Sequence, residues 1–325
     1  MNRAMKVLVV VATLSLGLIG DVYAANIRGA IRDGLKDLNA KKGDAQLCVM
    51  TDATYVRVDG KTSEHYVDLI QEETGCSIGK GNLLFFHRHM HYPLKIAIFR
   101  SDTKECVVII YDGEQTKTKK YNISLEACSG PDFWKKVGPP LAPDAFTIAT
   151  FAHAWALDVP QDFLKCAEFH NHLCAGVASG YMIARFIMSK YPLQRGESYT
   201  WVASPVFCKE DAMQVLLDVT PGKKSLYVEK LTESQKEELK FENAAGILVV
   251  WNKKENKGNG VALKFNWDKA RRKDKLQMIL GMLPYLDRPD EFVSVIKEFN
   301  VTPQMLERLT TAETNPYKWL DLTKQ

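Results

Sequence analysis

The strongest constraint on this 325-residue chain is that part of it occurs twice. Asp68–Leu83 lies without gaps on Asp211–Leu226, 143 positions later. The pairs Asp68/Asp211, Gln71/Gln214, Gly79/Gly222, Lys80/Lys223 and Leu83/Leu226 are identical. Ordinary composition would give about one match in such a window by chance. A helix-and-strand pattern precedes each window. An apolar run follows each, Lys95–Phe99 in the first half and Gly246–Trp251 in the second. One supersecondary unit used twice explains this arrangement. The expected fold is therefore α+β: two repeated sheet-plus-helix units forming a pseudo-dimer within one chain, then a C-terminal helical segment.

The pattern divides the chain into residues 25–125 as the first repeat, 126–145 as a Lys/Gly/Pro-rich connector, 146–265 as the second repeat and 266–325 as the helical segment. Ile27, Ala30, Ile31, Gly34, Leu35 and Leu38 fit a 3.6-residue period, so a helix opens the first repeat. A second helix is expected over 63–74, capped by Ser63, with strands over 83–88, 94–100 and 105–111. In the last segment Leu276, Ile279, Leu280, Leu283 and Leu286 give one helical stripe. Phe292, Val295, Ile296 and Phe299 give another.

The chemistry concentrates at Phe169-His170-Asn171-His172-Leu173-Cys174-Ala175-Gly176. His170, His172 and Cys174 carry imidazole and thiol, the ligand types that zinc and similar borderline metals favour. Every-second-residue spacing points all three one way only if the backbone is extended. The segment therefore reads as a strand-like or loop entry into a helix, whose N-terminus favours a thiolate. The bland alternative is a polar helix entry with a buried cysteine.

The stretch resembles the HGHxCPG signature of the FmdE-like family, named for formylmethanofuran dehydrogenase. Cys208-Lys209-Glu210-Asp211-Ala212-Met213-Gln214 and then Gly222-Lys223 resemble that family's second block, C-x-x-D-A-[IM]-Q followed by G-K-G-N. The resemblance covers about residues 165–255. It departs at Asn171 for Gly, Ala175 for Pro, Met182 for Arg, and Lys224-Ser225 for Gly-Asn. It implies Cys208 as a fourth ligand at a helix start. Asp211 is a possible ligand or substrate contact, and in an enzyme Lys80, Asp211 or Tyr181 could assist the metal. The family name comes from one-carbon metabolism in methanogens, a cytoplasmic chemistry that an exported chain would not serve.

The first half carries its own Gly75-Cys76 and Gly79-Lys80-Gly81-Asn82, while Ile27, Gly29 and Ile31 fall where the second half has the ligands. Lys80 and Asn82, with Cys76, are candidate ligand or substrate contacts in a composite site. A tight turn leading into a strand is the competing role for this loop. His87, His89 and His91 would share a face on a strand, where they could contact a ligand or simply line a solvated edge. His153, in an apolar helix, reads as a core residue, and Cys166 as a core or disulfide residue.

Residues 1–24 read as a signal peptide: Arg3 and Lys6, an apolar run from Val7 to Ile19 too short to span a bilayer, and Val22-Tyr23-Ala24 before the cut. The expected location is periplasmic or extracellular. The formal net charge is +4, and +3 once Arg3, Lys6 and Asp21 are removed. That is too weak to argue for nucleic acid or a membrane surface. All seven cysteines lie in the mature chain, and the odd count leaves at least one thiol free or metal-bound. Two function classes follow. One is an exported protein binding zinc or a similar transition metal, with a metal-dependent enzyme on a small molecule as its sharper form. The other is a non-catalytic carrier of metal, haem or another cofactor. A thiol–disulfide protein using Cys174 and Cys208 ranks below both, because no Cys-x-x-Cys is present.

Overall fold

The computed structural model describes residues 26–129, 131–272 and 274–324. The expected signal peptide lies outside them. The chain divides into two compact units after Asp158.

In the first unit helix α1 spans residues 26–37, and strand β1, Leu47–Thr51, follows it. A short hairpin of β2 (Arg57–Val58) and β3 (Lys61–Thr62) leads to helix α2, His65–Thr74. Strands β4 (Leu83–Phe85), β5 (Leu94–Arg100), β6 (Glu105–Tyr111) and β7 (Thr116–Asn122) complete a five-stranded sheet in the order β4-β1-β5-β6-β7. The β1–β4 pair is parallel, crossing over through α2; the other pairs are antiparallel. One face carries Val49, Ile98, Val107 and Ile109, packed with Ile27, Ile31 and Leu35 of α1 and Ile70 of α2. The alternation puts Cys48, Phe99 and Cys106 on the other face.

Two short helices, α3 (Leu125–Cys128) and α4 (Pro131–Lys136), lead to α5, Ala145–Ala156. Helix α5 belongs to the first unit, although the sequence pattern placed residues 146 onward in the second. It is tied there by the buried His153, whose Nε2 lies 2.7 Å from the Ile123 carbonyl oxygen. At its start, Asp144 accepts from buried Lys95 at 2.6 Å and from Arg88 at 3.2 Å, while Arg88 also reaches Asp52 at 3.1 Å. Every charge in this buried cluster therefore has an opposite charge beside it, the condition under which burial is tolerated.

The second unit begins with α6 (Gln161–His170) and α7 (Ala175–Lys190), then β8 (Glu197–Ala203) and α8 (Lys209–Leu217). Strand β9 is Leu226–Val228 and helix α9 is Glu233–Glu237. Strands β10 (Ala244–Asn252) and β11 (Lys257–Phe265) form a hairpin. After α10, Lys275–Met282, comes β12, Val293–Val301, and then α11, Pro303–Thr310. The sheet order is β12-β11-β10-β8-β9, with only β8–β9 parallel.

The C-terminal segment is thus not wholly helical. The stripe Phe292, Val295, Ile296 and Phe299 lies in and beside strand β12, which pairs along its length with β11. Helical spacing over so few residues is ambiguous. The β-branched Val293, Val295, Ile296 and Val301, with Pro289 before and Pro303 after, fit an edge strand better than a helix.

Read from the parallel pair outward, the two sheets have one topology, β4-β1-β5-β6-β7 against β9-β8-β10-β11-β12. The turns before β4 and β9 also agree bond for bond. The Ser77 amide donates to Asn82 Oδ1 and the Thr220 amide to Ser225 Oγ. The Lys80 and Lys223 amides return to Ser77 and Thr220. The Asn82 and Ser225 carbonyls accept from Val49 and Trp201. Those last pairs fix the strand offset at 152, not 143. Carried back through the first helix, the offset puts the first-half counterparts of His170, His172 and Cys174 near residues 18–22, outside the described residues, and not at Ile27, Gly29 and Ile31.

A candidate metal centre at the start of two helices

Helix α6 ends at His170 because Asn171 takes a left-handed backbone, φ +67°, and its amide returns to the Glu168 carbonyl. Glycine fits this conformation best and asparagine next best, which explains why Asn can replace the family's Gly here. Cys174 is extended and caps α7, its Sγ accepting from the Val177 amide at 3.4 Å. Ala175 is the first residue of α7, the position where proline is also well tolerated. The signature is therefore a helix end, a four-residue link and a helix start, the loop form of the expected helix entry rather than the strand-like one. The turn still brings the ligands together. One donor atom each from His170, His172 and Cys174 lies within 4.8 Å of the others, the one such His/Cys/Asp/Glu cluster among the described residues.

His170 Nε2 stands 3.6 Å from Cys174 Sγ. Two ligands on a tetrahedral zinc, at the usual Zn–N and Zn–S lengths, would be separated by about 3.6 Å. The opposite ring nitrogen, Nδ1, lies 2.6 Å from Asp211 Oδ2, and Asp211 Oδ1 accepts from Gln214 at 3.2 Å. A carboxylate on one imidazole nitrogen directs the other toward a metal. The His172 ring is 4.4 Å from that of His170. Burial, then the neighbouring His170, pushes the His172 pKa down to about 4, so its ring stays neutral and can donate a lone pair. Burial pushes the Cys174 thiol up to about 12 despite the Val177 amide. Thiol ligation would therefore release a proton.

Helix α8 is held hard against α7. A Cβ on Gly176 would come 2.7 Å from Cys208 Cβ, and one on Gly180 would come 2.2 Å from the Lys209 carbonyl oxygen. Both glycines are thus needed for the close approach that sets Cys208, the residue before α8, beside Cys174 at Gly176. Cys208 nonetheless falls outside the 4.8 Å cluster of the other three. The sequence reading missed the glycines; their four-residue spacing was the available signal. It also missed that the adjacent Lys209 is fully buried, paired with Glu210 at 2.5 Å and donating to the Pro205 carbonyl at 2.7 Å. Nothing in a charged dipeptide announces that.

Tyr181 donates its hydroxyl to Asp162 at 3.0 Å. In the first unit Cys76 is buried, and Lys80 Nζ donates to the Gly75 carbonyl at 2.7 Å. Asn82 holds both the Ser77 amide and the Leu47 carbonyl. These side chains close the turn, the structural role weighed for them. His87, His89 and His91 do not share a strand face, because β4 ends at Phe85 and a loop and turn follow. His87 lies beside Tyr55 at 5.5 Å, and His89 beside His91 at 5.0 Å. The phenylalanine-histidine run has no period-2 partner strand to extend it.

No curated protein matches the chain. Residues 169–282 match the family model FmdE, described as molybdenum formylmethanofuran dehydrogenase operon. The match starts at the residue before His170 and ends with α10, so it contains the ligand turn, α7, α8 and the strands between them. The second unit is accordingly FmdE-like, and its His170–His172–Cys174 cluster has the composition and spacing of a metal-binding site.

Proposed function

We propose that this is an exported metal-binding protein whose second unit holds one zinc-type ion on His170, His172 and Cys174. The observation that carries the reading is His170: Nε2 is at tetrahedral ligand spacing from Cys174 Sγ, while Asp211 secures Nδ1. Duplication of one ancestral unit accounts for the matched sheets and turns, with the metal chemistry kept in the second copy. Zinc held by three protein ligands supplies a Lewis acid and lowers the pKa of a bound water. That makes a metal-dependent reaction on a small molecule the sharper form of the proposal. In it Asp211 and Gln214 orient His170, and the turn at Asn171 fixes the ligand geometry.

A carrier of metal, haem or another cofactor is the second reading, favoured by one contact. Cys208 lies beside Cys174, and as a fourth ligand it would close the coordination sphere. Elemental analysis and an absorption spectrum of the purified protein, with Cys174→Ala and Cys208→Ala variants beside it, separate the cases. About one equivalent of zinc, lost in Cys174→Ala but retained in Cys208→Ala, supports the open site. Equal loss in both supports the closed carrier site, and a haem spectrum supports the haem form. No metal in the wild-type protein after zinc reconstitution sinks the proposal.

A further inference from the structure

At the end of the second sheet, beside the start of α8, lies a cavity of about 570 Å³ that the metal reading does not use. Its aromatic walls are Phe207, Phe241 and Trp267, with the Phe207 and Trp267 ring centroids 6.1 Å apart. Five charged side chains from α9, the loop after it and the C-terminus reach it, and their commitments differ by sign. Lys236 is paired with Glu233 at 2.7 Å, and Lys324 Nζ donates to the Glu237 carbonyl at 2.8 Å. Among the described residues, the exposed carboxylates of Glu237 and Glu242 have no ion-pair partner. The cavity therefore presents aromatic faces and a surplus of one carboxylate, Glu233, Glu237 and Glu242 standing against Lys236 and Lys324. Phe207 already accepts a cation, Lys209 Nζ at 3.9 Å from its centroid, and that charge is neutralised by Glu210.

We propose that this cavity is a binding site for a small planar organic cation, held against the aromatic wall of Phe207 and Trp267 and paired with Glu237 and Glu242. Aromatic faces attract cations through the ring quadrupole, and a carboxylate rim adds the opposite charge. The volume is in the range of small-molecule sites, and a few polar groups on an apolar wall set orientation. None of His170, His172 and Cys174 lines the cavity, so zinc is not required for binding.

Calorimetric titration of the full mature chain with 1-methylnicotinamide, nicotinamide and nicotinate tests it, because the ring is shared and the charge changes from positive to neutral to negative. The cation should bind about tenfold more tightly than the neutral ring, the size of effect expected of cation–π and rim charge together. Nicotinate should bind most weakly. Glu237→Gln/Glu242→Gln, at exposed positions that leave folding unaffected, should abolish the advantage of the cation over nicotinamide. Trp267→Ala should weaken all three. Zinc and EDTA should leave the constants unchanged, which separates this result from any failure at the metal site. Nicotinate binding as tightly as the cation, an unchanged preference in the double Gln variant, or no binding of any of the three at 10 mM (about 3 kcal/mol or less of association) would overturn the proposal.

Discussion

The two units share a sheet order and a turn, yet among the described residues only one of them carries a metal-type cluster, and the contrast separates what the fold demands from what the chemistry demands. In the turn, Gly81 and Lys224 occupy matching positions with φ of +69° and +54°, and Asn82 and Ser225 make the same side-chain bond to the amide five residues back. The backbone requirement survives while the side chains drift, because several residue types can meet it. Ligands allow no such drift. His65 stands in the first unit where Cys208 stands in the second, and exposed Asp68 stands where Asp211 grips His170.

The comparison breaks most sharply at the ligands. Cys174→Ala or His170→Ala should cost at least about 100-fold in zinc affinity, since each removes a direct ligand. His65→Ala in the first unit should cost nothing. Competition against a chromophoric chelator reads both, and equal losses would mean that the first unit contributes to the site after all.

Helix packing gives the next effect. Gly180→Ala places a methyl group against the α8 backbone, which cannot swing aside as a side-chain end could, and should cost about 3 kcal/mol of stability in urea unfolding. Gly29→Ala, in α1 with open space around it, should instead stabilise the chain by about 0.5–1 kcal/mol. A neutral Gly180→Ala would show that α7 and α8 can separate, and the placement of Cys208 beside Cys174 would lose its support. Smaller again is Asp211→Asn. It keeps the shape but weakens the hold on His170, for an expected loss of about 10- to 100-fold in metal affinity. Asp68→Asn should leave affinity and stability unchanged, the latter within about 0.5 kcal/mol.

Much of this was legible in the sequence, for identifiable reasons. The strands at 94–100 and 105–111 carry long apolar runs between clear turn signals, and they form where expected. His153 was readable as a core residue from its apolar neighbours, and it is buried on a carbonyl. The ligand types were readable too, but the backbone that presents them was not. A left-handed Asn171 converts every-second-residue spacing into a helix–turn–helix, and nothing in the spacing itself reveals that change. Strand β12 was hidden because its pairing shifts between Lys297 and Val295, which leaves Ile296 as an extra residue and breaks the period-2 pattern into one that reads as helical. The offset between the repeats changes from 143 to 152 because the segments linking β1 to α2 and β8 to α8 differ in length, and a gapless comparison cannot see that.

Proton release sharpens the comparison within the second unit. His172, held down to about 4, is already neutral above pH of about 5 and contributes no proton there. Cys174, raised to about 12 by burial, is a thiol throughout the neutral range and must lose its proton to bind. Apparent zinc affinity should therefore rise with pH, by about tenfold per unit for one thiol, between pH of about 7.5 and 9, above the histidine range. Its sign follows from mass action: fewer protons in solution favour the metal-bound thiolate. A slope near one proton means that Cys174 alone ionises on binding, which suits the open three-ligand site. A slope near two means that a second thiol joins it, and Cys208, beside Cys174 at the start of α8, is the residue placed to do so. Repeating the titration with Cys208→Ala decides the assignment, since the slope should then fall to one in the closed site and stay the same in the open one. A flat profile would mean that zinc binds without displacing a thiol proton, and Cys174 would have to be removed from the ligand set.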